Sequence, residues 1–181
     1  RQRAGNQGGE KHDGEGEEVR GDGVAPVHHE GLGAEDTGGR HRGEEADAAL
    51  VVGSFLRKDH PLIAQRLRQA AKKYTKVSLL SVTADDQLID LYASLAVAPS
   101  QLARSLAAIV KAAAELKGAA VPAGLEGVAS DEASKKIAQS LLDGEKRAIF
   151  LGNVATQLGD ATQLHALVLE LGKLTNATVG F

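Results

Sequence analysis

Ala48-Ala49-Leu50-Val51-Val52-Gly53 is an unbroken apolar run closed by glycine. So short a run, apolar at every position, reads as a strand buried on both faces of a parallel sheet. The same signature returns in Arg147-Ala148-Ile149-Phe150-Leu151-Gly152. Each run leads into a polar loop, residues 54–60 and 153–159, and then into a helical pattern. In the first unit Pro61 suits an opening helical turn, and Leu62, Ile63, Arg66, Leu67, Ala70 and Ala71 recur at helical spacing as far as Lys73. In the second, residues 160–174 place Leu164, Leu167, Val168 and Leu171 on one face. Lys76-Val77-Ser78-Leu79-Leu80 and Ala177-Thr178-Val179-Gly180-Phe181 read as the strands that follow. Two strand–glycine–loop–helix–strand units predict an α/β fold with a doubly wound, mainly parallel sheet.

Between these units the spacing predicts three more helices. Residues 85–96 would be a short one with Leu88, Leu91, Tyr92 and Leu95 together, and Asp85 and Asp86 at its start would favour the dipole. Ser100 could cap a long helix to Lys117, striped by Leu102, Leu106, Ile109, Val110, Ala113 and Leu116 and ended by Gly118. Residues 119–129 form a glycine- and proline-punctuated loop, and residues 131–142 an amphipathic helix stopped by Gly144.

Residues 1–46 are of another character. They hold twelve of the 21 glycines and four of the six histidines, with Leu32 and three valines as their only large aliphatic residues. Such a composition cannot offset the entropy of ordering, so disorder is expected. Thirty of the 46 are Gly, Ala, Val, Asp or Glu, whose codons all begin with G, and thirteen more can be written with codons beginning with C. A GC-rich gene read one base out of frame gives that bias, so out-of-frame translation joined to a true frame near Glu45 is one reading. An ordinary flexible tail is the other. His12, His28, His29 and His41 read as chance clustering rather than a metal site.

The 181 residues carry a net charge of −3, no cysteine and five aromatic residues. That balance gives no ground for nucleic-acid binding, and the lack of cysteine excludes disulfides, thiolate zinc sites and cysteine-ligated iron–sulfur clusters within this polypeptide. No apolar run reaches the roughly 18 residues of a membrane span, and the charged start is no signal peptide.

In doubly wound sheets, ligands bind at the carboxyl ends of the strands. That directs attention to Gly53 and Ser54, with Arg57, Lys58 and His60 as possible charge, and to Gly152 and Asn153. A glycine there lets backbone approach a phosphate, and a following helix offers unpaired N–H groups. Neither loop has the G-x-G-x-x-G or Walker spacing. Asp59-His60 reads as two loop residues pointing apart, His165 as a satisfied or surface histidine, and Arg66, Arg68, Lys72 and Lys73 as a solvated stripe or a contact for an acidic partner.

The run from Ala48 through Gly53-Ser54-Phe55-Leu56-Arg57-Lys58-Asp59-His60-Pro61 to Ala70 resembles the large iron–sulfur subunit of bacterial NADH-quinone oxidoreductase, respiratory complex I. The runs 76–80, 149–157, 164–167 and 174–181 fit the same resemblance. It implies that residues 47–181 are part of a molybdopterin oxidoreductase-like domain, in which Gly53, Ser54, Gly152 and Asn153 mark ancestral cofactor loops. Phe55-Leu56 and Ser81-Val82-Thr83 stand where that family usually has Asn with a proline and Asp-Pro-Arg, so partners for the nucleotide end are missing. The loops are then vestigial and expected to be empty. The implied role is structural support of respiratory electron transfer, with no redox centre in this chain and the iron–sulfur clusters in a family part absent here. The implied partners are the other subunits of the complex, on the cytoplasmic side and peripheral to the inner membrane. The alternatives are a pterin- or nucleotide-binding oxidoreductase domain and a free-standing nucleotide-binding regulator.

Overall fold

The computed structural model describes residues 46–181. The expectations for residues 1–46 lie outside the described residues except at Ala46, which is buried and accepts a hydrogen bond from Thr75 Oγ1 (2.7 Å). The elements run β1 (Ala48–Val52), α1 (Leu56–Asp59), α2 (Pro61–Lys72), β2 (Lys76–Ser81), β3 (Ala93–Ala96), a 3₁₀ turn (Pro99–Gln101), α3 (Leu102–Lys117), α4 (Glu132–Asp143), β4 (Arg147–Leu151), α5 (Asn153–Gln157), α6 (Ala161–Thr175) and β5 (Thr178–Gly180).

The five strands form one all-parallel sheet in the order β3-β2-β1-β4-β5. The α/β doubly wound expectation therefore holds. The two apolar runs that announced it lie side by side, Leu50 opposite Ile149 and Val51 opposite Phe150. All five residues of β1 are buried because both sheet faces are covered. On one face Ala49, Val51, Val77 and Leu79 meet Leu56, Ala64 and Leu67. On the other, Leu50, Val52, Leu80, Ile149 and Leu151 join the core of α3, α4 and α6, in which Leu106, Ile109, Ile137, Leu164 and Leu171 are fully buried. Each such side chain taken from water contributes about 2 kcal/mol. The centre of the protein is α3, whose alanines let α4 and α6 pack closely on it.

Several boundaries follow local chemistry. Pro61 opens α2, and Gly118 ends α3 with φ +70. Asp131 caps α4 by accepting from Ser134 N (2.7 Å). Ser100 lies inside the 3₁₀ turn rather than capping α3.

The expected helix over residues 85–96 is absent. Asp86 Oδ1 accepts from Leu88 N (2.8 Å), and Leu88 takes φ +53, an Asx-type turn that competes with helix. Residues 93–96 are instead the edge strand β3, with Leu95 turned to the α3 side while Leu91 packs on the α2 side. The two polar loops also contain short helices: α1 forms because Leu56 is drawn into the core, and α5 forms around the buried Ala155. Among the described residues no helix is long and apolar enough to cross a membrane.

Candidate functional site at the carboxyl edge of the sheet

Adjacent parallel strands β1 and β4 deliver Gly53 and Gly152 to the same edge. There the two loops close on each other. Gly152 N donates to Val52 O (2.8 Å), and Ala155 N, in the first turn of α5, donates to Gly53 O (3.1 Å). Gly53 takes φ +59, and a Cβ on it would stand 2.6 Å from Ala155 Cβ and 2.9 Å from Ala155 N. The glycine supplies both the left-handed turn and the close approach. Ser54 is buried beneath this junction, and its Oγ has no hydrogen-bond partner.

A helix N-terminus holds an anion through its unpaired N–H groups. The N–H of Ala155 is already taken by the Gly53 carbonyl, and α5 is a single short turn with little dipole to offer. The space a phosphate would enter is occupied by the chain's own backbone.

The remaining expected site residues are differently employed. Arg57 Nη1 donates to Asp86 O (2.8 Å), tying α1 to the segment after β2. His60 joins α1 to α2, its N–H bonded to Leu56 O and its carbonyl accepting from Ala64 N. Asn153 is the exposed first residue of α5, and its carbonyl accepts from Thr156 Oγ1 (2.9 Å).

Beside the closed junction lies an open cleft of about 320 Å³ lined by Phe55, Arg57, Lys58, Asp85, Asp86 and Gln87. Gln87 is buried, and its Nε2 donates to Asp85 O (2.9 Å) while its Oε1 stays unpartnered. The acidic wall of this cleft is absent from the sequence expectations, because Asp85 and Asp86 read as a helix start. The signal was the turn chemistry of Thr83, Asp85 and Asp86, whose short polar side chains bond locally, as Thr83 Oγ1 does to Asp85 Oδ2 (3.3 Å). The cleft presents two cations opposite two carboxylates. No nucleophile–base pair lies among the residues lining it.

No family model matches the chain, and no curated protein matches it. Among solved structures, it is similar to a chain in the crystal structure of the formyltransferase/hydrolase complex (FhcABCD) from Methylorubrum extorquens in complex with methylofuran. The TM-score is 0.50 at 20% identity, over 78% of this chain and 37% of that one. This chain thus spans little more than a third of that neighbour's length, and the likeness is one of fold. It corrects the expectation of a large NADH-quinone oxidoreductase subunit, and with it the respiratory role and the respiratory partners. The residues behind that resemblance build the fold: Gly53 turns the chain, Leu56 anchors α1, Arg57 ties down the neighbouring segment and Pro61 opens α2. What the comparisons identify is an α/β fold shared with a chain of a formyltransferase/hydrolase complex.

Proposed function

We propose that this chain is a structural α/β module that works inside a multi-protein assembly, with the carboxyl edge of its sheet sealed rather than open to a ligand. The observation that carries this reading is the contact between the glycine loops. Ala155 N is bonded to Gly53 O, and Gly152 is packed so closely on Ser54 that no methyl group fits between them. A dinucleotide or pterin phosphate needs those donors free and that space empty. In this reading Gly53, Ser54 and Gly152 hold the edge shut, while Arg57, His60 and Asn153 serve local structure and bind no cofactor.

The similar chain comes from a complex of several components and is much longer than this one, which supports protein partners. A rigid sheet covered by helices on both faces suits that use, because it presents fixed helix surfaces to neighbours.

Native mass spectrometry of the protein isolated from its source tests the proposal. A particle containing other chains is expected, with no nucleotide or pterin released on denaturation. A lone chain, or stoichiometric release of such a cofactor, overturns it.

A further inference from the structure

We infer that the outer face of α2 docks an acidic protein segment; this rests on the reading that the chain works in a protein assembly. Between Leu56 and Lys73 the chain carries Arg57, Lys58, Arg66, Arg68, Lys72 and Lys73 against Asp59 alone. Six of the fifteen lysines and arginines of residues 46–181 fall in those eighteen positions. The rest of the described chain is net acidic, so the positive charge is gathered on one side.

The lysines of α2 also differ from lysines elsewhere. Lys76 meets Asp143, Lys111 meets Glu115, Lys135 meets Glu132 and Lys173 meets Glu170, at 3.3–3.8 Å. Lys72 and Lys73 are exposed and meet no carboxylate among the described residues. Arg68 is held in place, its Nε donating to Leu88 O (2.7 Å), which fixes part of the charge rather than leaving it to wander.

Apolar groups flank the cations. Leu62 is 74% exposed at one end of α2, and Tyr74 is 95% exposed just beyond the other. Leu62, Gln65, Gln69, Lys72 and Lys73 are all exposed at helical spacing, over a helix about 18 Å long. Tyr74 holds φ +75, a conformation ordinarily left to glycine or asparagine, so a bulky ring is displayed where the backbone disfavours one.

A charged surface with apolar ends matches a carboxylate-bearing segment that also carries an aliphatic side chain. Phosphate polymers and anionic lipid fit less well. Asp59, Asp85 and Asp86 lie close to Arg57 and Lys58 and would repel them, while Tyr74 alone provides an exposed aromatic ring on this helix.

Backbone-amide NMR of the full chain tests the inference with three probes: a synthetic helical peptide of Glu and Leu, phosphatidylcholine–phosphatidylserine vesicles, and duplex DNA. The peptide is expected to shift amides across residues 62–74, with affinity falling about tenfold between low and high salt. K72E/K73E should abolish the shifts, whereas K135E/K136E, an equal charge change on α4, should leave them. Peptide shifts elsewhere, no shifts, or tighter binding of vesicles or DNA at α2 overturns the inference. If the native particle keeps its other chains while the peptide fails, the docking face is wrong and the assembly reading stands.

Discussion

A Cβ placed on Gly152 would lie 2.3 Å from Ser54 Cβ and 2.7 Å from Gly53 O. The φ of Gly152 is −91, so its backbone suits any residue and only space demands glycine. At Gly53 both conformation and space demand it. Gly152→Ala should therefore destabilise the fold by about 3 kcal/mol through overpacking against backbone that cannot yield. Gly53→Ala should cost at least as much, and Ala155→Gly should restore only part of it because the backbone nitrogen of residue 155 remains in the way. Urea unfolding of the three proteins measures this. An unchanged midpoint for Gly152→Ala would mean that the loops are not in contact.

Ser78 and Ser54 are buried with hydroxyls that find no partner. A buried donor left unpaired is a cost, and removing it can be neutral or favourable. Ser78→Ala, in the middle of β2, is expected to leave the melting temperature unchanged or to raise it. Ser54→Ala should behave alike, since its Cβ fills the junction and its Oγ adds nothing. A loss of about 1 kcal/mol or more in thermal unfolding would show that the hydroxyls are bonded in solution.

Much of this architecture was legible because β1 and β4 announce themselves. A strand buried on both faces has nowhere to place a polar residue, so Ala48–Val52 reads as a strand with no help from its neighbours. The helix stops at Lys117 and Asp143 were visible for a similar reason, each being followed by glycine. The stretch over residues 85–96 misled because leucines at positions 88, 91 and 95 satisfy a helical period by accident. Asx turn chemistry at Asp86 and pairing to β2 win there, and neither leaves a periodic trace. The sealing of Gly53 against Gly152 was not legible at all. It depends on β1 and β4 being neighbours, a tertiary fact that no local window contains. The pattern from Gly53 to Pro61 also invited a family assignment, although its glycine, leucine and proline meet needs of this fold.

Asp131 caps α4 through Ser134, whose hydroxyl and N–H both hold the Asp131 carboxyl below its ordinary value. Asp131→Ala should cost about 1 kcal/mol at neutral pH, and Asp131→Asn much less, because the amide oxygen can still accept the N–H bond. Chemical denaturation at pH 7 measures both. Equal losses would show that charge, rather than the capping bond, carries the effect.

Asp47 gathers the amino ends of three strands. Its carbonyl accepts from Lys76 N (2.9 Å) ahead of β2, its own N–H donates to Lys146 O (2.7 Å), and its Oδ2 accepts from Glu145 N and Lys146 N (both 2.8 Å) ahead of β4. These backbone donors, Lys146 first and Glu145 next, hold the carboxyl below its ordinary value of 3.8. A depressed value in the folded state means that the ionised form stabilises the fold. That contribution is complete above the unfolded value near 3.8 and is lost as pH falls through the lowered one. Asp47→Asn keeps an acceptor but has no charge to lose. Its stability gap to the parent should thus be widest at pH 7 and close as the pH drops below 4. Urea unfolding of both proteins across that range is the measurement, and a gap independent of pH would rule out the carboxylate as the tie between β1 and β4.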